Sequence, residues 1–283
     1  MKIFSDNTIK IMAKSIKNEK VYNEVENFII NLEQTLSDLS KYIKEDRGEM
    51  NFDIFTFGSY NREGLVGEHD LVNVCISIEN ERLFNEIDSL NEIKSRKKRQ
   101  KISATYYIAM LLLIHFETNF KKEIDVEITN NSLIIKSNKF FGIDFQIFIF
   151  THSYTKQLYI TTTMNDCKPH LFDIDNYETN FITKSSQTDN GFEQIVNIIK
   201  TICIDHNITN NFILIESLLY NVPNEYYIGD INTQMYNVLN YLKVLSRVNF
   251  VSIDGKNKPL YKNEFIMRDG LTKSIQVLNK LIG

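Results

Sequence analysis

The spacing of hydrophobic and polar positions changes period several times along this chain, and each change predicts an element. Over residues 8–43, Ile9, Met12, Ile16, Val21, Val25, Phe28, Ile29, Leu32, Leu36 and Leu39 recur at helical spacing, so one long helix, or two in line, is expected. Residues 51–57 (NFDIFTF) alternate with period two and predict a strand ending in a Gly58-Ser59 turn. Residues 61–67 read as a loop, and 71–78 are apolar and β-branched, as in a buried strand. Residues 83–116 are helical again, with a basic patch at Lys94, Arg96, Lys97, Lys98, Arg99 and Lys101 that reads as a solvated helix face. Three extended runs follow at 124–128, 133–136 and 142–150, the first two joined by an Asn130-Asn131 turn. Residues 165–187 are polar and read as irregular, and the boundary between two lobes is placed there. Helices are expected beyond it over 192–203, 213–220, 231–245 and 271–282, the second stopped by Pro223. A helix, a strand-rich centre and then helices make an α+β fold with a helical C-terminal lobe, divided as residues 1–164 and 165–283.

Composition narrows the classes. The 283 residues are 24% charged and 43% hydrophobic, the balance of a globular chain long enough for two packed lobes. A net charge of -4 gives no global attraction for nucleic acid. The three cysteines, Cys75, Cys167 and Cys203, have no CxxC spacing, which points to a reducing, cytoplasmic compartment and to neither a zinc knot nor a disulfide framework. The longest apolar run, residues 106–116, is shorter than the roughly 20 residues a bilayer requires, and the first residues lack the apolar core of a signal peptide. No membrane partner is expected.

The candidate chemistry lies around the first strands. A Gly-Ser turn can offer backbone N–H groups to a phosphate. Glu68 and Asp70, at i and i+2 beside His69, share a face if their segment is extended. Two such acids repel, and cations stabilise the pair. Turn and acid pair together suit phosphoryl or nucleotidyl transfer with magnesium, for which a third acid on a neighbouring strand is required. Asp125 and Asp144 are the candidates. Asp144 leads a strongly apolar run, whereas Asp125 is flanked by Glu123 and Glu127 like a solvated edge, so Asp144 is preferred.

Gly58-Ser59-Tyr60-Asn61-Arg62-Glu63-Gly64, then Glu68-His69-Asp70-Leu71, then Gly142-Ile143-Asp144-Phe145 resemble the polymerase-β-like nucleotidyltransferase superfamily. Within it the chain is similar to the cyclic GMP-AMP synthase and bacterial CD-NTase branch. Residues 195–200 (IVNIIK) resemble that branch's helix whose lysine approaches the triphosphate tail, and 213–223 (ILIESLLYNVP) resemble the following helix with its glutamate. The resemblance implies a mixed-sheet catalytic lobe, a helical lobe and a long N-terminal helix bridging both. It implies that Glu68, Asp70 and Asp144 bind magnesium, or manganese in its place. Gly58 and Ser59 would hold the β- and γ-phosphates, and Lys200 would neutralise the tail. The expected reaction joins nucleoside triphosphates into cyclic di- or oligonucleotides whose product binds a downstream effector, in bacterial antiphage signalling, with no nucleic acid required. The chain departs from the pattern at His69, where an apolar residue is usual, and at Asn211-Phe212, where a serine is frequent. If Asp70 were the first acid of the pair, Val72 would stand in the second place.

Two rival functions share the fold: a template-independent RNA or protein nucleotidyltransferase, and a degenerate, non-catalytic nucleotide-binding protein. Tyr226 and Tyr227 could stack a base, but packing between helices is the preferred reading for both.

Overall fold

The computed structural model describes residues 19–47, 51–62, 71–79, 104–120, 123–129, 132–137, 143–153, 158–162, 169–205, 212–244 and 250–255. The chain divides into two compact units. One is built on a sheet (Lys17–Glu63 with Leu71–Phe172), and the described residues of the other begin at Asp173. Among the described residues the change of unit falls between Phe172 and Asp173.

The sheet unit opens with helix α1 (Glu19–Arg47), followed by strands β1 (Asn51–Phe57) and β2 (Leu71–Glu79), helix α2 (Ala104–Phe120), and strands β3 (Ile124–Ile128), β4 (Ser132–Ser137), β5 (Asp144–Ser153), β6 (Leu158–Thr162) and β7 (Pro169–Phe172). Among the described residues the sheet has seven strands, with β1-β2-β5-β4-β3 as its main order. Only β2 and β5 pair in parallel, with Leu71 opposite Asp144; the other described pairings are antiparallel. β4 pairs with residues 145–148 of β5 and β6 with residues 151–153, so β4 and β6 follow one another along the same side of β5.

Side-chain alternation gives the sheet two distinct faces. Val72, Val74, Ile76 and Ile78 of β2 lie beside Phe145, Ile147 and Ile149 of β5, and all are buried. Helix α1 packs on this apolar face through Phe28, whose ring stacks on Phe145 at 3.8 Å between centroids. Its buried positions Val21, Val25, Phe28, Leu32, Thr35 and Leu36 advance by three or four residues, the stripe that a helix needs to lie on a sheet. Full burial of Phe28, Leu32 and Leu36 contributes about 1.5–3 kcal/mol each, and truncating Phe28 to alanine would cost about 3–5 kcal/mol. The opposite face carries an aromatic cluster in which Phe57 meets Phe148 at 5.4 Å and Phe172 at 6.0 Å. It also carries buried polar side chains, among them Asn73, Ser77, Ser132 and Gln146.

In the helical unit, α3 (Ile174–Gln187), α4 (Gly191–Asp205) and α5 (Phe212–Tyr220) precede a 3-10 turn (Asn224–Tyr227) and α6 (Ile231–Val244). Residues 165–187, read from sequence as irregular, thus contain β7 and α3. The stripe of α3 escaped notice because two of its buried positions, Lys184 and Ser185, are polar. Asp173 caps the helix by accepting from the Asn176 N–H at 3.0 Å. Asp189 and Asn190 then take positive φ (50° and 62°) and turn the chain into α4. Gly191 follows because a Cβ there would stand 2.8 Å from Gln234 Oε1 and 3.0 Å from the Tyr227 carbonyl. The apolar positions expected of α4, Phe192, Ile195, Val196, Ile199, Ile202 and Cys203, are all buried. Tyr227 is core, as the packing reading held: its hydroxyl donates to the Leu219 carbonyl at 2.7 Å. Tyr226 packs its ring on Tyr241 at 4.6 Å.

The expected helix over 271–282, the basic patch at 94–101 and the Asn130-Asn131 turn lie outside the described residues. Among the described residues, no helix is long and apolar enough to cross a membrane.

Candidate functional site

Strand β1 runs antiparallel to β2 with Phe57 opposite Asn73, so the turn after Phe57 leaves at the end of the sheet where β2 begins. Because β2 and β5 are parallel, β5 begins there too, with Asp144 opposite Leu71. Three elements therefore converge: the Gly58-Ser59 turn, the first residue of β2 and Asp144. Leu71 directly follows Asp70 in sequence, and Glu68, His69 and Asp70 themselves lie outside the described residues.

The turn is held from several sides. Gly58 has φ of 82°, a left-handed conformation that a side chain strains. Its carbonyl accepts from the Arg62 N–H at 3.2 Å. Asn61 donates to the Thr56 carbonyl at 2.7 Å and accepts from the Thr56 hydroxyl, closing the turn on its own strand. Tyr60 lays its ring against Tyr22 of α1 at 5.1 Å. Burial, and secondarily Tyr22 and Glu26, push the Tyr60 hydroxyl up to about 12, so it stays protonated at neutral pH. Ser59 is buried within this frame. A rigid turn of this kind can present N–H groups to an anion without reorganising.

Asp144 is half-buried. The rival acid Asp125 is exposed on β3, an edge strand that pairs with β4 and not with β5. Asp125 lies toward the same end of the sheet but two strands away, opposite Lys136 of β4, whereas Asp144 stands directly opposite Leu71, the start of β2. Among the described residues, no group of three or more His, Cys, Asp or Glu side chains is placed to hold a metal. Asp144 is a hard oxygen donor suited to magnesium, and the other two acids of the expected set are outside the described region.

The faces of the sheet add a constraint that the linear pattern did not reveal. Asp144 shares its face with Leu71, Asn73 and Gln146.

Lys200 lies on α4, and only 1% of its side chain is exposed. Its ammonium meets Glu216 Oε1 at 2.7 Å, and the Tyr177 hydroxyl donates to Glu216 Oε2. Helices α3, α4 and α5 are thus joined at one buried charge pair. To neutralise a triphosphate tail, Lys200 must share or leave Glu216. The next residues of α5 extend the network: the Ser217 hydroxyl accepts from the Ile253 N–H at 3.2 Å, and Asn221 bonds both polar backbone groups of Val251, at 2.8 and 3.0 Å. Asn180 of α3 donates to the Ile253 carbonyl at 2.7 Å, so residues 250–255 are strapped to two helices. The structural partners Tyr177, Ser217, Asn221 and Asn180 were missed in the sequence, where each is a lone polar residue with nothing to name its distant partner. Cys75 and Cys203 are buried free thiols; burial, and for Cys75 also Asp53, pushes both up and leaves them unreactive.

The description of one protein family, the cGAS/DncV-like nucleotidyltransferase C-terminal helical domain, matches residues 179–283. Over these residues the chain is similar to that family. The fold of the chain as a whole is that of solved cyclic dinucleotide synthases. CdnE from Elizabethkingia meningoseptica, solved with GTP and Apcpp, aligns over 98% of this chain and 99% of its own, with TM-score 0.58 and 16% identity. The STING-associated CdnE c-di-GMP synthase from Capnocytophaga granulosa covers 96% of this chain and 84% of its own, with TM-score 0.60 and 13% identity. Escherichia coli DncV, in its 3'-deoxy GTP bound form, covers 98% of this chain and 82% of its own, with TM-score 0.56 and 10% identity. Among curated proteins, none matches this chain. The resemblance read from the motifs is therefore met by the family of the helical unit and by the fold of the entire chain.

Proposed function

We propose that this protein is a nucleotidyltransferase that joins nucleoside triphosphates into cyclic di- or oligonucleotides. The carrying observation is the convergence of the Gly58 turn, the first residue of β2 and Asp144 at one end of the sheet, in a chain with the fold of cyclic dinucleotide synthases. In this reading Gly58 and Ser59 hold the β- and γ-phosphates. Asp144 takes the proton of an attacking ribose hydroxyl, whose oxygen bonds to the α-phosphorus as the bond to the β-phosphate bridging oxygen breaks and pyrophosphate leaves. Glu68, Asp70 and Asp144 would hold magnesium or manganese, which supplies charge neutralisation at the attacking and leaving oxygens when bound. Lys200 serves the triphosphate tail by exchanging part of its bond to Glu216. The product is a cytoplasmic signal to an effector in bacterial antiphage defence, a setting supported by the motif resemblance alone.

Incubating the protein with ATP, GTP, CTP and UTP and a divalent metal, followed by mass spectrometry, tests the reaction. Cyclic products that vanish in Asp70→Asn and Asp144→Asn, with unchanged melting temperatures, are expected. Labelling only of added RNA or protein would replace this reading with the rival acceptor.

The departures at His69 and, if Asp70 is the first acid, at Val72 favour a second reading, a nucleotide-binding protein without turnover. It predicts nucleotide binding with no product under any metal.

A further inference from the structure

Asn73 is an amide in the interior of a central strand, with Val72 and Val74 fully buried on either side and only 6% of its own surface exposed. Asparagine is a poor strand former, and burying its amide is costly unless partners meet it. Such a residue needs a reason at that position. Its neighbour across the parallel pairing is Gln146, also buried. Gln146 Nε2 donates to Ser132 Oγ at 2.7 Å, and Ser132 Oγ lies 2.6 Å from Thr129 Oγ1. A row of polar side chains therefore crosses β2, β5 and β4 on the Asp144 face, two positions along β5 from Asp144 itself.

We propose that Asn73 is a metal-facing residue of this site, contributing a neutral amide oxygen to the divalent cation that Asp144 binds. The inference rests on the reading of Asp144 as a metal carboxylate, but it does not need Glu68 or Asp70. Diagonal neighbours on one face of a sheet lie roughly 7–8 Å apart at their backbones. A cation with bonds of about 2.1 Å to each donor spans the gap between two short side chains placed that way. Carboxylate and amide oxygens are both hard donors of the kind magnesium and manganese take. Beside Asn73, Gln146 is held by its bond to Ser132. The consequence is a site of lower charge than one built from carboxylates alone, with correspondingly weaker metal binding.

The test measures Mn2+ binding to the nucleotide-free full chain by electron paramagnetic resonance and calorimetry, with melting curves as the folding control. Asn73→Asp should tighten Mn2+ by about tenfold and Asn73→Ala should loosen it by about tenfold, the scale of ligand-shell changes. Asp144→Asn should remove the effect of both. If Asn73→Asp does not fold, Asn73→Ser carries the test, with about tenfold weaker binding expected. Folded Asn73 variants with wild-type Mn2+ affinity overturn the proposal. If they keep that affinity while Asp70→Asn loses it, the proposal fails and the nucleotidyltransfer reading stands. Undiminished Mn2+ binding by Asp144→Asn overturns the metal assignment on which both rest.

Discussion

Replacing Lys200 by methionine removes one half of a charge pair in which each side chain is 1% exposed. Glu216 then loses this ammonium and keeps the bond from the Tyr177 hydroxyl. Breaking a buried charge pair by removing one partner costs about 3–5 kcal/mol. At about 2–4 °C per kcal/mol for a domain of 150–250 residues, the melting temperature of the helical unit should fall by roughly 10 °C. The double variant Lys200→Met/Glu216→Leu removes both charges and should recover most of the loss, because paired removal of a buried ion pair is often close to neutral. Thermal melts and urea unfolding of the wild type, both single variants and the double variant complete the cycle, with coupling expected at about 3 kcal/mol or more. A Lys200→Met variant that loses under about 1 kcal/mol refutes the argument, as does a double variant no more stable than the worse single. The refolded double variant also separates the two roles of Lys200. If it binds nucleoside triphosphate as tightly as wild type, Lys200 is an architectural residue and the assignment to the tail fails.

Gly58→Ala should destabilise the sheet unit by about 1–2 kcal/mol, because φ of 82° disfavours a Cβ, and should weaken nucleotide affinity; unchanged values in calorimetry and unfolding would contradict the turn assignment. Lys184 donates to the Val222 carbonyl at 2.6 Å, and desolvation lowers its pKa to about 8 against a partly opposing Glu225. The unfolded chain therefore binds more protons than the folded one from about pH 8 to the ordinary lysine range, so this group makes stability rise with pH there; urea unfolding of Lys184→Met should lack that rise. Asn221→Ala removes both bonds to Val251 and should cost about 1–3 kcal/mol, with hydrogen exchange accelerated at residues 250–255. Equal exchange in variant and wild type would show that the strap is held by other contacts.

Local patterning made β1, its turn, β2, β5 and the two helices α4 and α5 legible, because each buries a continuous apolar stripe or run that stands out over a short window. α3 and β6 were not legible. The buried face of α3 includes Lys184 and Ser185, so its period is hidden in polar residues, and β6 is a short run, LYITT, with little contrast. The preference for Asp144 over Asp125 could be reasoned from flanking residues, whereas its location beside the start of β2 could not.

What the sequence by itself determined is the inventory: a glycine turn after one strand, an apolar strand after an acid pair, a third acid at the head of a later strand, and amphipathic helices beyond. These depend on periods of two and 3.6 residues, which neighbours in the chain set among themselves. Only the tertiary structure decided how the inventory is assembled. The register of β2 on β5 is a non-local choice, made where Val72, Val74 and Ile76 bury against α1 and beside Phe145 and Ile147. That choice gave Asp144 the company of Leu71, Asn73 and Gln146. Helix packing likewise closed Lys200 onto Glu216, because a charge taken out of water requires a counter-charge within reach, and no spacing along the chain reveals which one it finds.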